Sequence, residues 1–316
     1  MTGLGAEIAH RPRFTLTVGP VLPYWTRATL LDFYQELADS PAGAVVLGEQ
    51  VCARRREMRI DDWLSLAAEL RQAGKEVALA TQVLVESEAD LRAIRRIAEQ
   101  RECVVEASDT SAVGVFAAAG LPFVLGPHIN IYSAAALREH VRCGAMRWVA
   151  PAELPLASLP LINPPVNDAA AAAPPIATEV LAFGRLPLAY SARCFTARHH
   201  RLRKDSCEFR CAGDADSLLL STTDGVPFLA LNGIQTLSAA RQCLIDEGAA
   251  LRDAGVTRLR LSPTAHRFGE VIELFDQAMN HDADAAGARA AIEAMAWPGG
   301  LANGYATGRS GMDWSH

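Results

Sequence analysis

The segment SARCFTARHHRLRKDSCEFRC places Cys194, Cys207 and Cys211 within 18 residues. Thiolates are soft ligands, and three so close together point to a bound metal. The spacing is C-x12-C-x3-C. Structural zinc sites more often show paired knuckles with two to four residues between the cysteines. Here Cys207 and Cys211 are spaced to share one helical turn, a loop brings in Cys194, and a fourth ligand comes from elsewhere. Cys52, in LGEQVCARRREM, is the leading candidate, because it follows a short apolar run that reads as a strand. Loops after parallel strands gather at one face of a barrel, where sites are built. The competing reading is a set of reduced thiols with no common partner. The remaining cysteines read as structural. Cys103 begins a strand, Cys143 ends a helix and Cys243 sits in the apolar pattern of another, and free cysteine is commonly buried.

Two basic patches flank these cysteines. Arg193, Arg198, Arg201, Arg203, Lys204 and Arg210 surround the late trio, and Arg54, Arg55, Arg56 and Arg59 follow Cys52. Positive charge lowers thiol pKa values and attracts anionic substrates; the plainer reading is a solvated face. The adjacent His199 and His200 cannot easily face one site and are expected in solvent. His128 and Asn130, in GPHINIYS, stand at the end of a strand, where they either line a site or orient the next loop. No G-x-S-x-G elbow, H-E-x-x-H helix or G-x-x-x-x-G-K-[ST] loop occurs, and Gly3 and Gly5 begin no dinucleotide fingerprint.

The elements that must position these residues alternate between short β-branched runs and capped helical segments. The expected strands are Phe14–Val18, Ala44–Leu47, Glu76–Ala80, Cys103–Ala107, Phe123–Leu125, Arg147–Val149, Glu179–Phe183 and Arg258–Leu261. Asp61 and Gly74 bracket one helix, Ser87 and Asp90 form a capping box, and Ser133 and Gly144 bracket another. Eight strands with helical crossovers predict an α/β fold, a distorted or incomplete (β/α)8 TIM-like barrel. Two stretches break the pattern. Seven prolines between Pro151 and Pro175 exclude a continuous helix there. Residues 184–257 form a late insert within one domain spanning 1–316. It carries the cysteine trio, a hairpin turning at Asp224–Gly225 and a helix from Ser238 onward.

The chain has 316 residues, half of them apolar, and a net charge of −6, ordinary for a globular protein with a sizeable core. Nothing global argues for nucleic acid. The N-terminus lacks the basic-then-apolar pattern of a signal peptide, and no apolar run reaches the roughly 18 residues of a membrane span. The expected location is cytoplasmic, where cysteines stay reduced.

LGEQVCARRREM, GPHINIYS and above all AFGRLPLAYSARCFTARHHRLRKDSCEFRC resemble the collagenase-like U-thirty-two peptidase family, and within it the UbiV subgroup. The resemblance runs from TVGPVLPYW to NGYATGRSGMDW. It implies a [4Fe–4S] cluster on Cys52, Cys194, Cys207 and Cys211, and a UbiU-like sister subunit as heterodimeric partner. It also implies a role in oxygen-independent ring hydroxylation of a ubiquinone precursor, with a lipid-carrier accessory protein as a further partner. In that setting Arg54, Arg55 and Arg198 are the candidates for tuning the cluster or binding an anionic hydroxyl donor. Other branches of the family imply a peptidase or an RNA-modifying enzyme, and a zinc-stabilised scaffold is a third reading.

Overall fold

The computed structural model describes residues 12–165 and 175–315. The first eleven residues, from which the absence of a signal peptide and of a dinucleotide fingerprint was read, and residues 166–174 of the proline-rich stretch lie outside the described residues.

Eight strands run parallel in chain order. They are β1 (Thr15–Val18), β2 (Ala44–Leu47), β3 (Glu76–Ala80), β4 (Val104–Ala107), β5 (Phe123–Leu125), β6 (Ala145–Val149), β7 (Ala177–Tyr190) and β11 (Val256–Leu261). Each pairs with the next, and β11 pairs with both β7 and β1, so the barrel closes fully. Between strands lie α1 (Arg27–Ala38), α2 (Ile60–Gln72), α3 (Glu88–Glu99), α4 (Thr110–Ala118), α5 (Ala134–Arg142) and α6 (Leu159–Ile162). The helices α9 (Phe268–Asn280) and α10 (Ala285–Glu293) follow the last barrel strand. Capping sets several starts. The side chains of Thr26, Ser87, Asp109 and Ser133 each accept a backbone N–H of the first turn. α2 starts ahead of Asp61, because Asp62 accepts from the Arg59 N–H at 2.7 Å. The prolines after β6 leave one turn of 3-10 helix, Leu156–Ser158, and the four residues of α6. Among the described residues no helix is long and apolar enough to cross a membrane.

Side chains alternate across each strand. The outer set, including Leu16, Val45, Val77, Leu79, Val105, Phe123, Leu125 and Trp148, joins the helices in one apolar core. The lumen is charged. Arg260 holds both carboxylate oxygens of Glu106, at 2.9 and 2.6 Å, and donates through Nε to Glu179 at 2.6 Å. Arg147 and Arg258 approach Glu179 at 3.7 and 3.6 Å and share Glu76 at 2.5 and 3.1 Å. Three arginines thus meet three glutamates. Val46, Ala78 and Ala80 form a small buried apolar cluster separate from the main core.

β7 is 14 residues long and runs past the barrel rim to Tyr190. Its outer half pairs antiparallel with β10 (Gln235–Cys243), β10 pairs with β9 (Pro227–Asn232), and β9 in turn pairs with β8 (Leu218–Ser221). Gly184 marks the departure. Its φ is +118°, and a Cβ there would lie 2.5 Å from Ser262 Cβ. The Asp224–Gly225 hairpin turn is present between β8 and β9. The helix expected from Ser238 is not: Ser238 and Cys243 lie in β10, where pairing with β7 and β9 overrides the helix-forming composition of SAARQCL. The next helix is α8 (Gly248–Asp253). Cys243 is buried, Cys103 half-buried, and Cys143, which caps α5, is exposed instead of structural. At the C-terminus, β12 (Leu301–Ala302) pairs with β10, and the buried Ala306 accepts the Leu156 N–H through its carbonyl.

Candidate functional site

Cys52 lies in the loop after β2, and Cys194 lies four residues beyond β7, so both sit at the C-terminal face of the barrel. Cys194 precedes the short helix α7 (Phe195–His199), and its Sγ accepts the Ala197 N–H at 3.4 Å. Cys207 ends a 3-10 turn over Lys204–Ser206, and Cys211 lies in another over Arg210–Gly213. Cys207 and Cys211 therefore do not share an α-helical turn. Between them Glu208 and Phe209 adopt positive φ, which turns the chain. Cys52, Cys194 and Cys211 are close enough that the charge of each acts on the others. Cys207 is carried on the segment that Arg54 fastens over the Cys52 loop. Arg54 donates to the Asp205 carbonyl at 2.7 Å and its cation lies 6.0 Å from the Phe209 ring centre.

One hairpin turn holds the group together. At the end of β9, the fully buried Asn232 donates to the carbonyls of Cys211 and Asp214 at 3.0 and 2.9 Å. Its Oδ1 accepts from Arg55 at 2.6 Å and from the Tyr24 N–H at 3.1 Å. Gly233 accepts the Phe195 N–H and donates to Thr196 Oγ1, fixing the start of α7. Its φ is +72°, and an added Cβ would stand 2.8 Å from Arg55 Nη2.

Arg55 is the central cation. It is buried, bonded to the Leu22 carbonyl at 2.9 Å, paired with Glu49 at 3.5 Å and set 5.3 Å from the Tyr24 ring centre. Its charge also acts on the Cys211 sulfur. Burial pushes the Cys52 and Cys211 thiols up, and the Arg55 charge opposes it. Burial likewise raises Glu49 against the pull of Arg55. Burial therefore favours the neutral thiol at Cys52 and at Cys211. Among the described residues no group of three or more His, Cys, Asp or Glu side chains is in position to hold a metal ion. What fits a metal is the donor set: thiols beside a buried guanidinium, with Nε of Arg54 and Arg55 both buried and without an acceptor.

Of the other sequence-derived candidates, Arg198 is exposed, with no side-chain partner among the described residues, and His199 and His200 are exposed beside it. His128 and Asn130 separate: Asn130 is exposed, whereas His128 packs edge-on against Tyr190, ring centres 4.9 Å apart, with Nε2 3.3 Å from its hydroxyl. Burial, with Arg260 adding, pushes the His128 pKa down to about 3, so the ring is neutral. Sequence reasoning missed Glu49, Asn232 and the luminal ion network. The Asn232–Gly233 pair, a hairpin signature, was the available signal for one of them.

The sequence profile of Peptidase family U32 matches residues 29–315. The chain belongs to this family. A solved U32 peptidase, Mk0906, is similar at 10% identity and TM-score 0.43, over 80% of this chain and 94% of that one. An uncharacterized protein from Clostridium thermocellum that binds two copies of 5-methyl-5,6,7,8-tetrahydrofolic acid matches at 9% identity and TM-score 0.45, over 86% and 95%. Xanthomonas albilineans dihydropteroate synthase matches at 12% identity and TM-score 0.39, over 91% and 95%.

In this U32 chain Asn232 should act as the fastener of the cysteine segment. Asn232→Ala leaves two buried carbonyls and part of Arg55 unpaired, a loss of about 3 kcal/mol. It should lower Tm and speed the reaction of Cys207 and Cys211 with a thiol reagent. Unchanged thiol reactivity would show that the segment is held by other contacts.

Proposed function

We propose that this chain is the iron–sulfur subunit of an oxygen-independent hydroxylase, working with a UbiU-like sister subunit on the ring of ubiquinone precursors. Cys52, Cys194, Cys207 and Cys211 are assigned as ligands of a [4Fe–4S] cluster. The supporting observation is the joining of two distant segments at the barrel mouth. Cys52, Cys194 and Cys211 act on one another around buried Arg55, and Arg54 secures the turn that carries Cys207. The motif resemblance to the UbiV subgroup supplies the pathway. A cluster held by four thiolates offers no open iron and supplies one-electron transfer.

The chain's own residues give that role its setting. Arg55 offsets the charge of deprotonated sulfur at Cys211, and hydrogen-bond donors set near sulfur raise a cluster's potential. The free Nε–H groups of Arg54 and Arg55 are donors of the same kind. Tyr24 and Phe209, with ring centres 5.7 Å apart, cover this region.

The test is a deletion strain grown with and without air, with quinones quantified. Ubiquinone should disappear only without air, and return with the wild-type gene but not with Cys194→Ala. Normal anaerobic ubiquinone in a strain lacking any second copy sinks the proposal.

A further inference from the structure

A cleft of about 380 Å3 opens between α2 and α3, beside the C-terminal ends of β2 and β3. Its volume falls in the range of small-molecule sites. Met58, Ile60, Trp63, Ile94 and Ile97 make apolar walls. Glu49, Arg55, Thr81 and Gln82 bring polar groups into it. Most charges lining it are committed. Arg55 pairs with Glu49, Arg96 bonds Asp61 at 3.0 Å, and Asp90 caps α3 through Ser87 and the Glu86 N–H. Arg92 is different. It lines the cleft, its residue is exposed, and its side chain has no hydrogen bond or ion pair among the described residues.

We propose that this cleft binds a small planar apolar molecule carrying one anionic group, with the apolar body between α2 and α3 and the anion on Arg92. The indole of Trp63 and the isoleucines suit a flat hydrocarbon body, and a guanidinium suits a carboxylate. Among the described residues the other lining cations, Arg55 and Arg96, already have carboxylate partners. The site stands on the cleft itself, independent of any metal on the cysteines. It adjoins them all the same: Arg55 lines the cleft and bonds Asn232, which holds the Cys211 carbonyl.

Calorimetry on the whole purified chain tests this, with 2-naphthoate and its neutral isostere 2-naphthamide as probes. Naphthoate should bind about fivefold tighter, the upper range for a solvent-exposed ion pair, with the preference shrinking as salt rises. Arg92→Gln should erase the preference and leave naphthamide binding as it was. Ala93→Trp fills the cleft from an exposed helix position and should abolish binding of both, with circular dichroism unchanged. Ile97→Trp should do the same from the neighbouring wall, which keeps the test decisive if one variant misfolds. Equal affinities of the two probes, undetectable naphthoate binding, or naphthoate binding that survives a folded filled-cleft variant would each overturn the proposal.

Discussion

Under the proposed [4Fe–4S] assignment, anaerobically reconstituted wild-type protein is expected to hold about four irons per chain, and Cys52→Ala protein to lose most of them together with the visible sulfide-to-iron absorption. The same loss is expected for alanine at Cys194, Cys207 or Cys211. Alanine at Cys103, Cys143 or Cys243 should leave iron unchanged, because those three lie on other elements: the entry to β4, the end of α5 and the end of β10. Cys52 is the discriminating position, since it alone comes from the other side of the barrel. Full iron in Cys52→Ala would remove it from the ligand set. A pH dependence accompanies the prediction. Burial raises the Cys52 and Cys211 thiols, and a thiol must shed its proton to ligate, so iron uptake should strengthen as pH rises.

Arg260→Met is expected to be the most destabilising single change in the barrel, by about 3–5 kcal/mol in urea unfolding. It leaves Glu106 without its bidentate partner and takes from Glu179 one of its three cations, and both carboxylates are fully buried. Adding Glu106→Gln should recover part of the loss, because the two residues form one coupled unit. The network also sets acid stability. Burial alone would raise Glu179, but Arg260, Arg147 and Arg258 together hold it below the ordinary carboxylate value. A depressed folded pKa means that the stabilisation is complete above the unfolded value, about 4.3, and is lost as pH falls through the folded one. Wild-type stability should therefore drop on acidification below about pH 4, and the drop should be shallower in Arg260→Met. Additive effects of the Arg260 and Glu106 substitutions would show that the pair is not coupled.

The barrel was legible because its signals are local. Short β-branched runs alternate with segments opened by Ser87 or Ser133 side chains, and each such signal lies within a few residues of the element it sets. What the sequence hid depends on partners far along the chain. AFGRLPLAY carries a glycine and a proline, which argue against a strand, yet pairing with β10 keeps it extended to Tyr190. SAARQCL has helix-forming composition and is a strand for the same reason. Glu106, Glu179 and Arg260 are single charges in apolar runs, and only barrel closure makes them neighbours. At the cysteine site, spacing pointed to the trio and topology to Cys52. Arg55 was named with Arg54 and Arg198 as a candidate, but its burial was hidden, because that comes from Leu22, Asn232 and Glu49 on separate elements.

β7 has a mechanical consequence. One continuous strand is both a stave of the barrel and the spine of the sheet beyond it. A cantilever clamped along half its length does not swing, so the β8–β10 sheet cannot work as a hinged lid over the barrel mouth. Amide exchange in β10 should track that of the barrel half of β7, as one cooperative foldon. Motion that admits or releases anything at the cysteines must then come from residues 191–217, where short turns replace long helices and strands.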